Sequence, residues 1–227
     1  LSYKAKVMNA KRNRPHKAAD SRRSTKDKAK ATSQVRIIGG QFRRQLVPFI
    51  DADGLRPSPD RLRETLFNWI QFELHDAYVL DLCAGSGVLG FEALSRGASW
   101  VDLIELQPNQ ASLIAQTAQK LKLPNDCFRV SVGDALEKIP TLSVQTSIDK
   151  AICYHIVYVD PPYDLDLWVP MIDLLIKHKL VDSQTFFYLE DKRELSQTLQ
   201  QLSYDYTVLK ETKMGQVYAT LLQIEQI

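Results

Sequence analysis

The stretch Ile156 to Asp164, IVYVDPPYD, places an Asp-Pro-Pro-Tyr tetrapeptide at the carboxyl end of an apolar, strand-like run. These residue types suit transfer of a methyl group to an exocyclic amine on a nucleic-acid base. Such an amine is a poor nucleophile because its lone pair is delocalised into the ring, so acceptors must grip its hydrogens and draw it out of conjugation. The Asp160 carboxylate and the Pro161 carbonyl are the acceptors, and Tyr163 offers a π face to a splayed-out base. Pro161 and Pro162 fix φ near about −65° and bring no amide donor, which stiffens the loop and leaves its carbonyls able to accept. An ordinary strand followed by a proline turn would read in the same way, and a second motif upstream is what gives the tetrapeptide its weight.

Tyr78 to Gly90 reads YVLDLCAGSGVLG and runs into the helix-like GFEALSRG that ends at Gly97. Gly85 and Gly87 permit positive φ and close backbone approach, and the following helix presents unpaired amides and the positive end of its dipole. With Gly90 the spacing also satisfies Gly-x-Gly-x-x-Gly, a dinucleotide fingerprint that is weak by itself. Glu105 ends the next strand-like run, Trp100 to Ile104, where an acid can accept from both hydroxyls of an adenosine ribose. NAD and S-adenosylmethionine would use it equally. Asp81 separates them, because an acid so close to the loop repels a pyrophosphate but complements a sulfonium and an amino group. Asp134 follows the run Phe128 to Val132, where it can accept from an adenine amine or cap the helix that follows, and the two roles are compatible.

Strand-like and helix-like runs must alternate to position these residues. From Tyr78 the expected strands lie near 78–82, 100–104, 128–132, 155–159 and 185–190, with helices near 87–96, 108–121 and 167–178. Such alternation implies an α/β fold, a mostly parallel Rossmann-like sheet covered by helices on both faces. A closing pair of strands, 204–211 and 216–223, adds an antiparallel edge. Ligands in open sheets of this kind lie outside the carboxyl ends of the strands, where Asp81, Gly85, Glu105, Asp134 and Asp160 all fall. Upstream, Val35 to Ile38 and Phe42 to Val47 flank Gly39-Gly40 as a hairpin with a tight turn, presenting Arg36, Arg43 and Arg44. Ser58 then reads as an N-cap with Pro59 at the first helical position, and Leu62, Leu66, Trp69 and Ile70 as the core stripe of that helix. Arg61 and Arg63 lie off the stripe and, with Arg56, are candidates to guard the cofactor cleft or to hold RNA, or else line a solvated helix face. The expected organisation is a basic tail over 1–34 and one domain over 35–227, split into a hairpin and helix (35–75) and a Rossmann-like core (76–227).

The net charge of +2 hides an asymmetry. Residues 1–34 carry a net charge of +9, and the remainder carries −7. A leader rich in Lys, Arg, Ala and Ser is expected to be disordered alone and to follow phosphates through counterion release, or else merely to aid solubility. No stretch approaches the ~18 apolar residues of a membrane span, and the amino terminus has no apolar signal segment. Cys83, Cys127 and Cys153 lack metal-ligand spacing and are expected as buried free thiols in a reducing cytoplasm. No metal is expected.

RIIGGQFR at 36–43, GLRPSPDRLRETLFNW at 54–69, DLCAGSGVLGFEALSRGA at 81–98, IEL at 104–106 and VYVDPPYD at 157–164 together resemble the RsmD family of bacterial rRNA methyltransferases. The resemblance runs from about Arg36 to Tyr218, and its first two segments are the most specific. It implies a class I methyltransferase fold, S-adenosylmethionine as cofactor, and a guanine exocyclic N2 amine (position 966 in customary 16S numbering) as target. The partner would be 16S rRNA in the small subunit or an assembly intermediate, and the enzyme a monomer without membrane attachment. Asp81, Ala84, Gly85, Ser86 and Gly87 match the first cofactor motif, Glu105 and Leu106 the ribose side, Asp134 and Ala135 the adenine side, and Asp160 to Tyr163 the catalytic tetrapeptide. Two departures stand out: Ser58 where the family usually has Thr, and Gln107 where it often has an acid. The rival activities are a DNA adenine or cytosine amino-methyltransferase, which would need a target-recognition domain that the close motif spacing excludes, and a nicotinamide-dependent oxidoreductase, which leaves Asp-Pro-Pro-Tyr without a task. A third rival, an RNA-binding assembly factor without activity, does not account for the full set of acids.

Overall fold

The computed structural model describes residues 32–51, 58–143 and 153–225. Its central sheet contains β3 (Tyr78–Asp81), β4 (Trp100–Glu105), β5 (Phe128–Val132), β6 (Ile156–Val159), β7 (Phe186–Asp191), β8 (Tyr206–Met214) and β9 (Val217–Ile224). The order across the sheet is β5-β4-β3-β6-β7-β9-β8. The first five strands in that order are parallel, and β9 and β8 close the edge in antiparallel fashion. The expected α/β class and antiparallel edge are therefore present, and the strand limits fall within two residues of expectation for the five parallel strands.

Strands buried on both faces read as continuous apolar runs because neither face meets water. Ile156, Val157, Tyr158 and Val159 in β6 are each 0% exposed and alternate between two cores. One core joins Tyr158 and Tyr188 to Leu62, Leu66 and Phe67 of α1 (Asp60–Trp69) and to α2 (Val88–Ser95) and α3 (Pro108–Lys120). The other joins Val157, Phe187 and Leu189 to Trp168, Met171 and Ile172 of α5 (Trp168–Lys177), beside the short α4 (Ala135–Lys138). Neither α4 nor α6 (Leu195–Thr198) carries a periodic apolar stripe, so both escaped sequence reading.

The amino-terminal region departs from expectation in four ways. First, β1 (Thr32–Arg36) begins inside the presumed tail, since Thr32, Ser33 and Gln34 pair antiparallel with β2 (Leu46–Ile50). Second, the Gly39-Gly40 connection is no tight hairpin turn. It spans residues 37–45 and docks on the end of α2, with the Gln41 amide donating to the Ser95 carbonyl (2.8 Å) and the Phe42 amide to Ser95 Oγ (2.9 Å). A Cβ on Gly40 would lie 1.8 Å from the Ser95 carbonyl oxygen, so glycine is required there by close approach as well as by its φ of +72°. Third, α1 starts at Asp60 with Pro59 as N-cap, and the Ser58 hydroxyl caps nothing; it donates to Glu190 Oε1 instead (2.7 Å). Fourth, Trp69 is half-buried, and Phe67 takes its place in the core beside Leu62, Leu66 and Ile70.

Every residue of α2 is buried, because the sheet covers one side and the amino-terminal connection covers the other. Two polar side chains on α2, Glu92 and Ser95, are buried with it and find their partners in that connection. The three cysteines are free and half-buried, less enclosed than expected. Among the described residues no helix is long and apolar enough to cross a membrane, and no grouping of side chains could hold a metal ion.

Candidate active site

The chain runs outward through β3, β4 and β5, then returns to the other side of β3 as β6, which opens a crevice above the carboxyl ends of β3 and β6. Asp81 ends β3, Glu105 ends β4, Asp134 precedes α4, and Asp160 directly follows β6. These acids converge. The Cys83 thiol is pushed well above its ordinary value by burial and then by Asp81, Asp160, Glu105 and Asp134, so one sulfur feels all four carboxylates and is no nucleophile. Sequence reading missed two further acids at the same level, Glu190 and Asp191 at the end of β7. The signal was present: FFYLED ends in acid after an apolar run, as YVLD and WVDLIE do.

The glycine turn is shaped by contacts that only small residues allow. Gly85 and Gly87 have φ of +54° and +77°, and the Gly87 amide donates to the Ala84 carbonyl (2.6 Å). Gly90 packs α2 onto the sheet, since a Cβ there would lie 2.7 Å from Leu103 Cδ2. The Gly85 amide donates to Glu105 Oε2 (2.8 Å) and the Gln107 amide to Glu105 Oε1 (2.7 Å), so main chain fixes both oxygens while a further lone pair on each can accept. An acid at 107 is not needed for this, because the contact comes from the backbone. Ser86 is buried and accepts from the Val88 amide (3.3 Å) at the start of α2. Ala84 and Ala135 are buried beside the turn and α4, and Leu106 is half-buried next to Glu105. Asp134 caps α4, its Oδ1 accepting from the Leu136 amide (2.9 Å), which realises the capping half of its dual expectation.

Burial raises Asp81 to about 7, opposed by the Cys83 amide and assisted by Glu105 and Glu190. Glu105 is raised mainly by burial, against the amides of Gln107, Gly85 and Leu106 that favour its anion. Asp160 is pushed well above the carboxylate range by burial, then by Glu190, Asp81 and Asp191. An enclosed set of mutually repelling acids suits a cation and disfavours a phosphate. The donor set thus fits a ligand carrying a sulfonium and an ammonium group.

Asp160 is half-buried, and no donor among the described residues holds its carboxylate. The Pro161 carbonyl is likewise untaken among those residues, whereas the Pro162 carbonyl accepts from the Leu165 amide (3.1 Å). Tyr163 opens a 3-10 turn (Tyr163–Leu165) and is half-buried, with Lys192 Nζ 5.3 Å from its ring centroid. Beyond it, Asp191 is fully engaged by Arg193 and Thr198 (2.9 Å each), and Arg193 also pairs with Asp166 (2.6 Å).

The expected RNA-facing arginines separate into two groups. Arg36, Arg43, Arg44 and Arg61 are exposed, Arg36 paired with Asp60 (2.7 Å). Arg56 lies outside the described residues. Arg63 contradicts expectation: its side chain is 0% exposed and reaches Asp60 (2.6 Å), the Arg36 carbonyl (2.9 Å), the Ser58 carbonyl (3.1 Å) and Glu92 (3.2 Å). Glu92 also accepts from the Ile38 and Gly39 amides and from Arg96. Arg63 is a buried strut between α1, α2 and the amino-terminal connection and cannot touch RNA; it fell off the apolar stripe because a buried ion pair has no signature in hydrophobic periodicity.

The family described as conserved hypothetical protein 95 matches residues 35–223. Ribosomal RNA small subunit methyltransferase D of Haemophilus influenzae is 34% identical over 85% of this chain and 95% of its own length. The protein of the same name from Escherichia coli K12 is 36% identical over 86% of this chain and 92% of its own. Among solved structures, yhhF from Escherichia coli superposes with a TM-score of 0.71 at 35% identity, covering 85% of this chain and 99% of its own. SMU.776, solved with S-adenosylhomocysteine, shares the fold alone, with a TM-score of 0.59 at 13% identity over 78% of this chain and 53% of its own.

Proposed function

The chain belongs to the RsmD family, the ribosomal RNA small subunit methyltransferase D proteins, and from that premise we propose that it methylates the exocyclic N2 amine of a guanine in 16S rRNA, position 966 in customary numbering. The broader activity, S-adenosylmethionine-dependent methylation of rRNA, follows from the family and the fold. The observation that carries the finer reading is Asp160, a half-buried carboxylate that no described donor holds, directly after β6 and among the acids at the strand ends.

When bound, S-adenosylmethionine supplies an electrophilic methyl group. Asp81 would face the cationic end of the cofactor, Glu105 would accept from the ribose with its remaining lone pairs, and Asp134 and Ala135 would line the adenine side. Asp160 and the Pro161 carbonyl accept the two amine hydrogens and turn the nitrogen lone pair out of the ring. Tyr163 stacks on the base. Asp160 need not be a strong base, because the nitrogen becomes acidic on methylation and sheds its proton afterwards. Positioning of this kind is worth ~7 to 11 kcal/mol when both reactants are held in near-attack geometry. Exposed Arg36, Arg43, Arg44 and Arg61 follow the RNA backbone, and the small subunit or an assembly intermediate is the substrate.

Mass mapping of 16S rRNA from a strain lacking this protein tests the assignment. One guanine is expected to lose a methyl group from N2 and to regain it with purified protein and cofactor. An unchanged methylation map would refute it.

A further inference from the structure

Glu190 lies near the carboxyl end of β7, next to Asp160 at the end of β6. In the β6–β7 ladder Tyr158 pairs with Tyr188 and Val159 with Leu189, so the next step sets Asp160 beside Glu190 on neighbouring strands about 4.8 Å apart. Tyr188 and Glu190 share a strand face, and the Tyr188 hydroxyl donates to Glu190 Oε1 (2.8 Å). The Ser58 hydroxyl donates to the same oxygen (2.7 Å). Two donors thus lock one oxygen and the plane of the carboxylate, while no donor among the described residues reaches Oε2. Glu190 is also the charge that Asp160 feels most strongly. It differs from its neighbour Asp191, whose oxygens are taken by Arg193 and Thr198.

We propose that Glu190 determines base specificity, its Oε2 accepting from guanine N1–H while Asp160 and Pro161 hold the adjacent N2 amine; this rests on the guanine-N2 reading above. Guanine is the standard base whose amine to be methylated lies beside a ring N–H donor. Adenine and cytosine present a ring nitrogen acceptor next to their amines, which would set two lone pairs against each other at Oε2. Two side-by-side acceptors therefore select guanine and reject the bases of the rival amino-methyltransferases. Because a site built to hydrogen-bond a donor is left with an unpaired buried group when that donor is missing, discrimination is large. Ser58, which caps no helix, has a task here: it orients Glu190 and ties the start of α1 to the crevice.

The test compares guanine with 2-aminopurine, which keeps the N2 amine but has an acceptor at N1, at the target position of reconstituted small subunits. The wild-type enzyme is expected to methylate 2-aminopurine at least roughly a hundredfold more slowly in kcat/KM. In Glu190→Gln the amide oxygen must face the Ser58 and Tyr188 donors, which turns its NH2 group to the base. That variant is expected to lose activity on guanine and to gain on 2-aminopurine, reversing the preference, with S-adenosylhomocysteine affinity and melting temperature close to wild type. Equal wild-type rates on both bases would overturn the proposal, as would a variant that loses both activities in proportion. If wild-type enzyme leaves guanine N2 unmethylated in the same subunits, the guanine-N2 reading fails first and takes this inference with it.

Discussion

A carboxylate in the crevice acts through the protonation state its surroundings allow. Asp160→Ala is expected to abolish single-turnover methylation while leaving cofactor affinity within a few-fold, because the proposed mechanism puts this side chain against the amine and not the adenosine. Substantial residual methylation would refute its role. Asp81 is held at about 7, above its ordinary 3.8, by burial and by Glu105 and Glu190. Since a cationic ligand needs the anion, cofactor affinity is expected to weaken as pH falls below about 7, and calorimetry across pH 6 to 8 would show it. Asp81→Asn is expected to weaken binding about tenfold to a hundredfold, the range of one charge-assisted hydrogen bond, and to flatten that dependence. Affinity that ignores both pH and this substitution would place Asp81 outside the cofactor site.

Elements are joined here by buried polar struts as much as by apolar packing. Arg63 on α1 and Glu92 on α2 are both fully buried, and together they hold the connection between β1 and β2 against these two helices. Arg63→Met is expected to cost about 3 to 5 kcal/mol in urea unfolding, because Glu92 loses a charge partner it cannot exchange for water. Replacing both, with Glu92→Leu, is expected to recover part of that loss; a double variant less stable than the single one would show that the pair is not the operative unit. At Gly40 any Cβ would overlap the Ser95 carbonyl, so Gly40→Ala is expected to pull the connection off α2 and to lower stability by more than about 1 kcal/mol.

For the molecule as a whole, charge placement governs both stability and RNA affinity. Asp81, Glu105, Asp160 and Glu190 all bind their protons more tightly in the folded state than ordinary carboxyls do. Their stabilising effect is complete below the ordinary carboxyl values and is lost as pH rises, for Asp81 between 3.8 and about 7. Asp60, lowered by Arg36 and Arg63 against its burial, works in the opposite sense as pH falls through its depressed value. The ligand-free protein is therefore expected to melt at a higher temperature at pH 5 than at pH 8; the reverse order would mean that the crevice acids are solvated. On the outer surface, replacing Arg43 and Arg44 together is expected to reduce the log–log salt slope of RNA binding by roughly one to two, since each phosphate contact contributes about 0.7 to 0.9. Removing residues 1–31 is expected to reduce it further, and an unchanged slope would take the tail out of the interface.

Local pattern was enough for the sheet and for most of the crevice. Apolar runs ending in acid or glycine mark the carboxyl ends of parallel strands, and βα alternation forces those ends to the same side, so Asp81, Gly85, Glu105, Asp134 and Asp160 could be grouped before any contact was known. The partners of Ser58, Arg63 and Glu190 are visible only in the tertiary structure. A hydroxyl before a helix reads as a cap, and an arginine off the apolar stripe reads as surface, because sequence periodicity records which side chains avoid water and not which polar groups find partners far along the chain. Ser58 meets Glu190 across 132 residues and Arg63 meets Glu92 across 29, and such pairings exist only once the sheet has brought their elements together.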